Sequence, residues 1–247
     1  PPTISPSAFK PQQVMDDWRS LGMMDFLQVS SFEPVTRDDF KRVHNPQMVD
    51  DVLDLRRRNG FRNTDPQIAA SLPYTSGSML AAARWTLANR CPACSPTGGF
   101  HHAGFDEPEG YCTFNGLMVT AVKLLDEGLV RTVSILDCDV HEGNGTQNII
   151  DRLGLQRQIQ HHSMGYHFQT REQAGPDAVH FEAWLSQALD HCARTDLVLY
   201  QAGADPHMDD PLGGVLTGGE MMARDNTVFR RLIGTPLVWN LAGGYQR

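Results

Sequence analysis

The sequence predicts one α/β domain with a mostly parallel central sheet flanked by helices, and three observations lead to this prediction. Short apolar runs alternate with amphipathic segments from residue 132 onward, a pattern typical of parallel sheets covered on both faces. The 247 residues, 40% hydrophobic and 20% charged, suffice for a single well-packed domain. Polar clusters directly follow several apolar runs. In parallel sheets this is the position of the ligand site, beyond the carboxyl ends of the strands.

Four helices are predicted in the N-terminal half, at residues 6–21, 48–58, 67–88 and 113–126. The first follows a proline-rich lead, Pro73 breaks or bends the third, and Gly128 stops the fourth. A short apolar run predicts a first strand at residues 26–29. Residues 91–110 are rich in glycine and proline, so they are predicted to form a loop.

Strands and helices alternate in the C-terminal half. Short apolar runs predict strands at residues 132–136, 158–161, 197–200 and 237–241. The segments between them predict helices at residues 145–153, 178–193 and 218–233. Such strand–helix alternation favours a parallel sheet with helices on both of its faces.

Composition argues against several classes of protein. The net charge of −8 disfavours nucleic-acid binding, which needs a basic face. No apolar run approaches the ~18 residues that span a bilayer, and no basic-then-apolar leader opens the chain, so we expect a soluble cytoplasmic protein. Five scattered cysteines predict no disulfide framework, and the pair Cys91 and Cys94 lacks the second pair that a structural zinc site needs.

The most informative stretch follows the strand predicted at residues 132–136. Asp139 and His141 lie two residues apart, so in extended backbone they point to the same side, with Asp137 in line behind them. Carboxylate oxygen and imidazole nitrogen both suit a divalent metal such as zinc. Taken alone, the stretch also fits the start of a helix at Asn144 or Thr146.

Three further polar clusters follow predicted strands or lie in the glycine-rich loop. Asp205 comes after three small residues, although an aspartate before proline also suits a turn. Tyr245 follows a glycine pair, although a tyrosine packed over a loop would show the same pattern. His101 and His102 are adjacent between glycine-rich turns.

Together these clusters predict a site for metal-assisted amide hydrolysis. Asp139, His141 and Asp205 provide three ligands and leave one position open, as catalytic sites require. The two histidines provide proton transfer, with Asp137 and Asn144 available to bind one ring nitrogen of each. Tyr245 provides a hydrogen-bond donor for an oxyanion.

These motifs resemble those of the zinc-dependent histone deacetylase family. The matching segments run in the family's order from Gly98 to the C-terminus: Gly-Phe-His101-His102-Ala, Glu-Gly-Tyr111-Cys-Thr-Phe-Asn115, Asp137-Cys-Asp139-Val-His141-Glu-Gly-Asn144, Gly-Ala-Asp205, Asp210-Pro-Leu-Gly-Gly and Gly-Gly-Tyr245. The chain departs from the family at Gly99-Phe100, where relatives have Pro-Gly, and at Glu142, where relatives often have His. Asn144 stands where some members have Asp, which makes the partner of His102 neutral.

The resemblance implies an arginase/deacetylase fold, with residues 1–247 as one catalytic domain; relatives continue at the point where this sequence ends, two residues after Tyr245. It implies a zinc ion bound by Asp139, His141 and Asp205, with His102 as the proton shuttle. His101, paired with Asp137, would adjust the electrostatic field at the site, and Tyr245 would donate a hydrogen bond to the carbonyl oxygen of the acyl group. It further implies a potassium ion at Asp137 and the carbonyls of Asp139 and His141, and an acyl channel lined by Gly110 and Tyr111.

The implied substrate is an acylated amine, either acetyl-lysine, an acetylpolyamine or another small amide; the oligomeric state stays open. Two alternatives are a two-metal ureohydrolase of arginase type, which wants a second acid beside Asp205, and a non-catalytic acyl-lysine binding module. His161, His162 and His167 are expected to be solvated loop residues, and His207 to lie at the rim of the site.

Overall fold

The computed structural model describes residues 9–246 and contains a parallel sheet of five strands in this range. The strands are β1 (Ala93–Ser95), β2 (Val133–Asp137), β3 (Ile159–Ser163), β4 (Leu197–Gly203) and β5 (Leu237–Ala242). Their order across the sheet is β1-β5-β4-β2-β3, and every neighbouring pair is parallel. The carboxyl ends of all five strands therefore meet at one edge.

Helices connect the strands and cover the sheet. They are α1 (Lys10–Ser20), α2 (Arg37–Lys41), α3 (Pro46–Leu53), α4 (Pro66–Asn89), α5 (Gly116–Asp126), α6 (Asn144–Leu153), α7 (Arg171–Ala174), α8 (Val179–Cys192) and α9 (Gly218–Arg231). Short 3-10 turns lie at Met23–Phe26, Met164–Tyr166 and Pro176–Ala178. Side-chain caps begin several helices, such as Asn115 at α5 and Thr217 at α9. No helix in residues 9–246 is long and apolar enough to cross a membrane.

Two apolar clusters cover the two faces of the sheet. Because side chains alternate along a strand, Ile135 of β2 joins the cluster with α3, α4, α5 and α6, whereas Leu136 joins the cluster with α8 and α9. Leu199 and Tyr200 of β4 divide between the clusters in the same way. Burial on both faces explains why β2 carries apolar residues on both of its sides, at Val133, Ile135 and Leu136.

Several predicted elements need correction. Residues 26–29 form no strand: Phe26 ends a 3-10 turn and is 89% exposed, so this apolar run has no sheet to join. The predicted loop at residues 91–110 contains β1, a three-residue edge strand that is too short to stand out in sequence. Pro73 does not break helix α4, which continues to Asn89; the carbonyl of Pro73 accepts from the backbone N–H of Val35.

Some predicted boundaries also differ from the observed ones. Helix α3 ends at Leu53 and not at residue 58, because the chain turns at Leu55, which has a positive φ of 63°. Residues 6–8 of the predicted first helix lie outside the described residues. The four C-terminal strands all lie where the apolar runs predicted them, with ends that differ by at most three residues.

Candidate active site

Three side chains from two loops meet at the carboxyl edge of the sheet. Asp139 and His141 follow β2, and Asp205 follows β4, its neighbour in the sheet. The Nδ1 atom of His141 lies 3.0 Å from Oδ1 of Asp139 and 2.9 Å from Oδ2 of Asp205. All three ligand atoms lie within 4.8 Å of one another, close enough to bind one ion.

Two glycines and one buried arginine allow the segments that follow β2, β4 and β5 to approach one another. A side chain at Gly203 would collide with the backbone of Asp139, and one at Gly243 would collide with the carboxylate of Asp205. The buried guanidinium of Arg224 donates to the carbonyl oxygens of Gly203 and Cys138, at 2.8 and 3.3 Å. This contact ties the end of β4 to the loop after β2.

The electrostatics of the two carboxylates, Asp139 and Asp205, favour a bound cation. Burial, and then the neighbouring carboxylate of Asp139, raise the pKa of Asp205 to about 7. Burial also opposes ionisation of Asp139, but His101 and the hydrogen bonds with His141 outweigh it and lower the pKa of Asp139. The ligand oxygens of these two buried carboxylates lie within 4.8 Å of each other, so the two charges repel. A divalent cation between them would relieve the repulsion. Two oxygens and one nitrogen are ligands that zinc accepts.

The two adjacent histidines have different partners. His101 donates from Nδ1 to Oδ2 of Asp137 at 2.8 Å, and Nδ1 of His102 lies 2.6 Å from Oδ1 of Asn144. Their ring centroids are 4.1 Å apart. Burial opposes protonation of His101, but Asp137 and Asp139 outweigh it and raise its pKa to about 9. Burial, and then His101, lower the pKa of His102, so at neutral pH the second ring is the neutral one.

Asp137 is fully buried behind this pair. Its carboxylate accepts from His101, from the backbone N–H of Asp139 and from the side chain of Gln201, the last at 3.2 Å. The ring of His161 lies close by, with Nε2 3.9 Å from Oδ2 of Asp137. This Nε2 atom is buried and has no hydrogen-bond partner within the described part of the chain.

Tyr245 lies on the other side of His141. Its ring stands edge-on to the imidazole, with centroids 5.9 Å apart, and its backbone N–H donates to Asp210 at 2.7 Å. Lys10 of α1 reaches the same place: its ammonium group lies 5.3 Å from the Tyr245 ring centroid and donates to the carbonyl of Gly243. Burial and the acids around it raise the pKa of the Tyr245 phenol, which stays protonated.

One cavity joins most of the predicted residues. His101, His102, Asp139 and Tyr245 line it together with Gly110 and Tyr111, the two predicted channel residues. Gln201 and Lys10 also line it. The structure thus brings the whole predicted set to one edge of the sheet: Asp137, Asp139, His141, Asp205, His101, His102, Asn144, Tyr245, Gly110 and Tyr111.

Sequence reasoning missed several residues at this site. Lys10 and Gln201 carry no motif, because a lone lysine or glutamine is usually a surface residue. Two of the histidines predicted to be solvated loop residues are not: His161 and His162 lie in β3, where the ring Nε2 of each is buried. The available signal was that the two histidines are adjacent in a strand whose carboxyl end is at the site. Adjacent residues of a strand face opposite sides of the sheet, so one histidine is directed to each side.

The histone deacetylase domain family matches residues 7–169 of the chain. Acetylpolyamine amidohydrolase 1 of Pseudomonas aeruginosa is 31% identical over 182 residues, which are 62% of this chain and 49% of that protein. Acetylpolyamine amidohydrolase of Mycoplana ramosa is 32% identical over 177 residues, 62% of this chain and 50% of that protein. This chain therefore spans about half the length of these curated relatives.

Two solved structures share the fold at low sequence identity. The HDA15 HD domain superposes with a TM-score of 0.79 at 20% identity and covers 96% of this chain and 76% of its own. An acetylpolyamine aminohydrolase from Burkholderia pseudomallei superposes with a TM-score of 0.73 at 18% identity, covering 99% of this chain and 86% of its own. The predicted α/β fold with a parallel sheet is confirmed.

Proposed function

Because this chain belongs to the histone deacetylase domain family, we propose that it hydrolyses acylated amines at one zinc ion bound by Asp139, His141 and Asp205. The observation that carries the proposal is that these three side chains lie together. Asp205 is at least 64 residues away in sequence from each of the other two. A cavity with two histidines and a tyrosine opens beside them. Zinc in such a site supplies Lewis acidity toward a water molecule and a carbonyl oxygen.

The surrounding residues provide the remaining steps of amide hydrolysis. His102 is neutral and receives a proton from the attacking water, then passes it to the leaving amine. His101 is held as a cation by Asp137 and favours the negative charge that develops on the carbonyl oxygen. The protonated phenol of Tyr245 donates a hydrogen bond to that oxygen.

The proposed substrate is an acetylated amine: acetyl-lysine, an acetylpolyamine or another small amide. Two of the relatives are named acetylpolyamine amidohydrolases, which supports an amine that carries further positive charge. The carboxylates of Glu109 and Glu142 line a groove next to the site and make it negative. The whole chain is negative too, with a net charge of −8. Both features favour a cationic substrate over an acidic one.

Neither alternative has comparable support. A ureohydrolase of arginase type needs a second metal, but among residues 9–246 one cluster of ligands is close enough for an ion. The nearest acids after Asp205 are unsuited to a second ion, since Asp209 is 83% exposed and Asp210 accepts from the backbone of Tyr245. A binding module would not require two histidines with oppositely shifted pKa values beside a partly buried tyrosine.

A potassium ion at Asp137 and a cytoplasmic location remain predictions. The ion is what the resemblance to the deacetylase family implies; in the structure the buried Asp137 carboxylate already has His101 as its partner. The unpartnered Nε2 of His161 would be its neighbour. Thermal unfolding in potassium chloride against choline chloride at equal ionic strength would detect such an ion.

The zinc site is tested with Asp139→Ala and a matched control, Asp209→Ala. Asp209 is an exposed aspartate near the same edge, so its loss leaves the ligand set intact. We expect Asp139→Ala to lose bound zinc and all turnover of a fluorogenic acetyl-lysine substrate and of an acetylpolyamine. We expect Asp209→Ala to keep one zinc ion per chain and full turnover. A hydroxamate, which binds zinc, should block turnover in this variant and in the wild type. Turnover by zinc-free Asp139→Ala would refute the proposal, and two zinc ions per wild-type chain would revive the ureohydrolase.

A further inference from the structure

A third side chain continues the contact between His102 and Asn144. The Oε2 atom of Glu109 lies 3.1 Å from Nδ2 of Asn144, whose Oδ1 lies 2.6 Å from Nδ1 of His102. A carboxylate can only accept, so the end of the amide that faces Glu109 must be its NH₂ group. The carbonyl end therefore faces His102, which has to donate from Nδ1. The remaining ring nitrogen, Nε2, then carries the lone pair that a general base requires.

The backbone places Glu109 at this position. Cys112 N–H donates to the carbonyl of Glu109 at 2.7 Å, and Glu109 N–H donates to the carbonyl of Cys112 at 3.0 Å. Gly110 and Tyr111 between them have φ values of +53° and +63°, as in a tight type I′ turn. A side chain at Gly110 would collide with the ring of His102, so the turn packs directly against that ring.

We propose that Glu109 is a positioning residue that fixes the orientation of the Asn144 amide and, through it, the proton-accepting tautomer of His102. The inference rests on the proposed function of His102. An aspartate at position 144 would accept from the ring with either oxygen and would need no third group. An asparagine has one accepting and one donating end, so something must select between them, and Glu109 is placed to do so.

The kinetic test combines Glu109→Gln with Asn144→Asp in zinc-loaded protein. Glutamine can turn either end of its amide toward Asn144, so the selection is lost. With an acetylated substrate that carries no positive charge, we expect Glu109→Gln to lower kcat about tenfold at unchanged KM and unchanged zinc content. In the Asn144→Asp background we expect Glu109→Gln to leave kcat unchanged, because either carboxylate oxygen of the aspartate can accept the hydrogen bond from His102. Glu107→Gln, an exposed glutamate in the same loop, serves as the control and keeps the wild-type kcat.

Two kinetic outcomes would overturn the inference. A higher KM at unchanged kcat would make Glu109 a substrate contact. An equal loss of kcat in the wild-type and Asn144→Asp backgrounds would make its role structural, since the loss would not depend on which group faces His102.

A spectroscopic measurement separates failure of this inference from failure of the proposed function. Nitrogen NMR of histidine-labelled, zinc-loaded protein reports which ring nitrogen of His102 carries the proton, whether or not any substrate is turned over. We expect protonated Nδ1 in the wild type at neutral pH and a mixture of both tautomers in Glu109→Gln. Protonated Nε2 in the wild type, or an unchanged spectrum in the variant, would refute the role of Glu109.

Discussion

Individual side chains at this site owe their chemical state to burial and to one or two charged neighbours. The clearest case is Tyr245, whose phenol remains protonated because burial and nearby acids disfavour its anion. Its backbone is fixed by Asp210, and Lys10 contacts the turn that precedes it. A proton donor in a fixed position is what stabilisation of an oxyanion requires.

Replacement of Tyr245 by phenylalanine removes the donor and leaves the ring. We expect Tyr245→Phe to keep its zinc and to lose about a hundredfold in kcat, the usual scale for one oxyanion donor. The measurement is steady-state turnover with zinc content determined on the same sample. Tyr74→Phe is the matched control, because Tyr74 is 54% exposed on α4 and should keep the wild-type kcat. Full activity in Tyr245→Phe would show that the phenol has no such role.

At the scale of elements, a buried histidine joins the loop with the histidine pair to helix α5. His44, between α2 and α3, donates from Nδ1 to the carbonyl of Gly104 at 2.8 Å. Its Nε2 accepts from the backbone N–H of Asn115 at the start of α5, at 2.9 Å. Both contacts require a neutral ring. Burial lowers the pKa of His44 to about 4, in agreement with this geometry.

The contribution of His44 to stability should depend on pH. Its pKa is about 4 when folded and 6.5 when unfolded, so between these values the unfolded chain binds more protons. The stabilisation is therefore complete above pH 6.5 and is lost as the pH falls toward 4. We expect the difference in unfolding free energy between wild type and His44→Gln to shrink by about 3 kcal/mol over this interval.

Denaturant unfolding of both proteins at several pH values provides this measurement. The comparison with His44→Gln cancels other groups that titrate in the same interval, such as His162, whose pKa burial also lowers to about 4. A difference that stays constant from pH 7 to pH 4 would mean that His44 does not carry the pH dependence.

At the scale of the whole molecule, the site depends on β2 and β4 being neighbours in the sheet. Their pairing, from Val133 opposite Leu197 to Asp137 opposite Gln201, brings both loops to the same edge in register. Asp139 and Asp205 thereby face each other although they lie far apart in sequence. An ion bound by both would cross-link these loops and stabilise the folded state.

Zinc should therefore raise the melting temperature of the whole protein. At a free zinc concentration about 100 times Kd, binding stabilises the folded state by about 2.7 kcal/mol, which is about 5–10 °C in Tm for a chain of this size. Thermal unfolding after chelation and after zinc addition measures the shift. Asp205→Asn weakens the ligand set and should remove most of the shift, and an equal shift in wild type and variant would place the ion elsewhere.

Much of the fold was predictable because its signals are local. The apolar runs of β2, β4 and β5 are buried on both faces, and such strands stand out in any sequence. The run at residues 26–29 is also mostly apolar, but it pairs with no strand, so the prediction of a strand there was wrong. Conversely, β1 is a strand only because β5 lies beside it.

The sequence by itself determined the sheet-forming runs, the alternation of strands and helices, and the acids, histidines and tyrosine that follow the strand ends. Residue type and spacing carry that information, because periodicity and strand-end position are properties of a short segment. Only the tertiary structure decided which partners these residues have: Gln201 and the ring of His161 beside Asp137, Lys10 beside Tyr245, and Glu109 behind Asn144. Most of these contacts join residues that are distant in the chain, and no local pattern specifies which distant side chain will fill the space beside a given group.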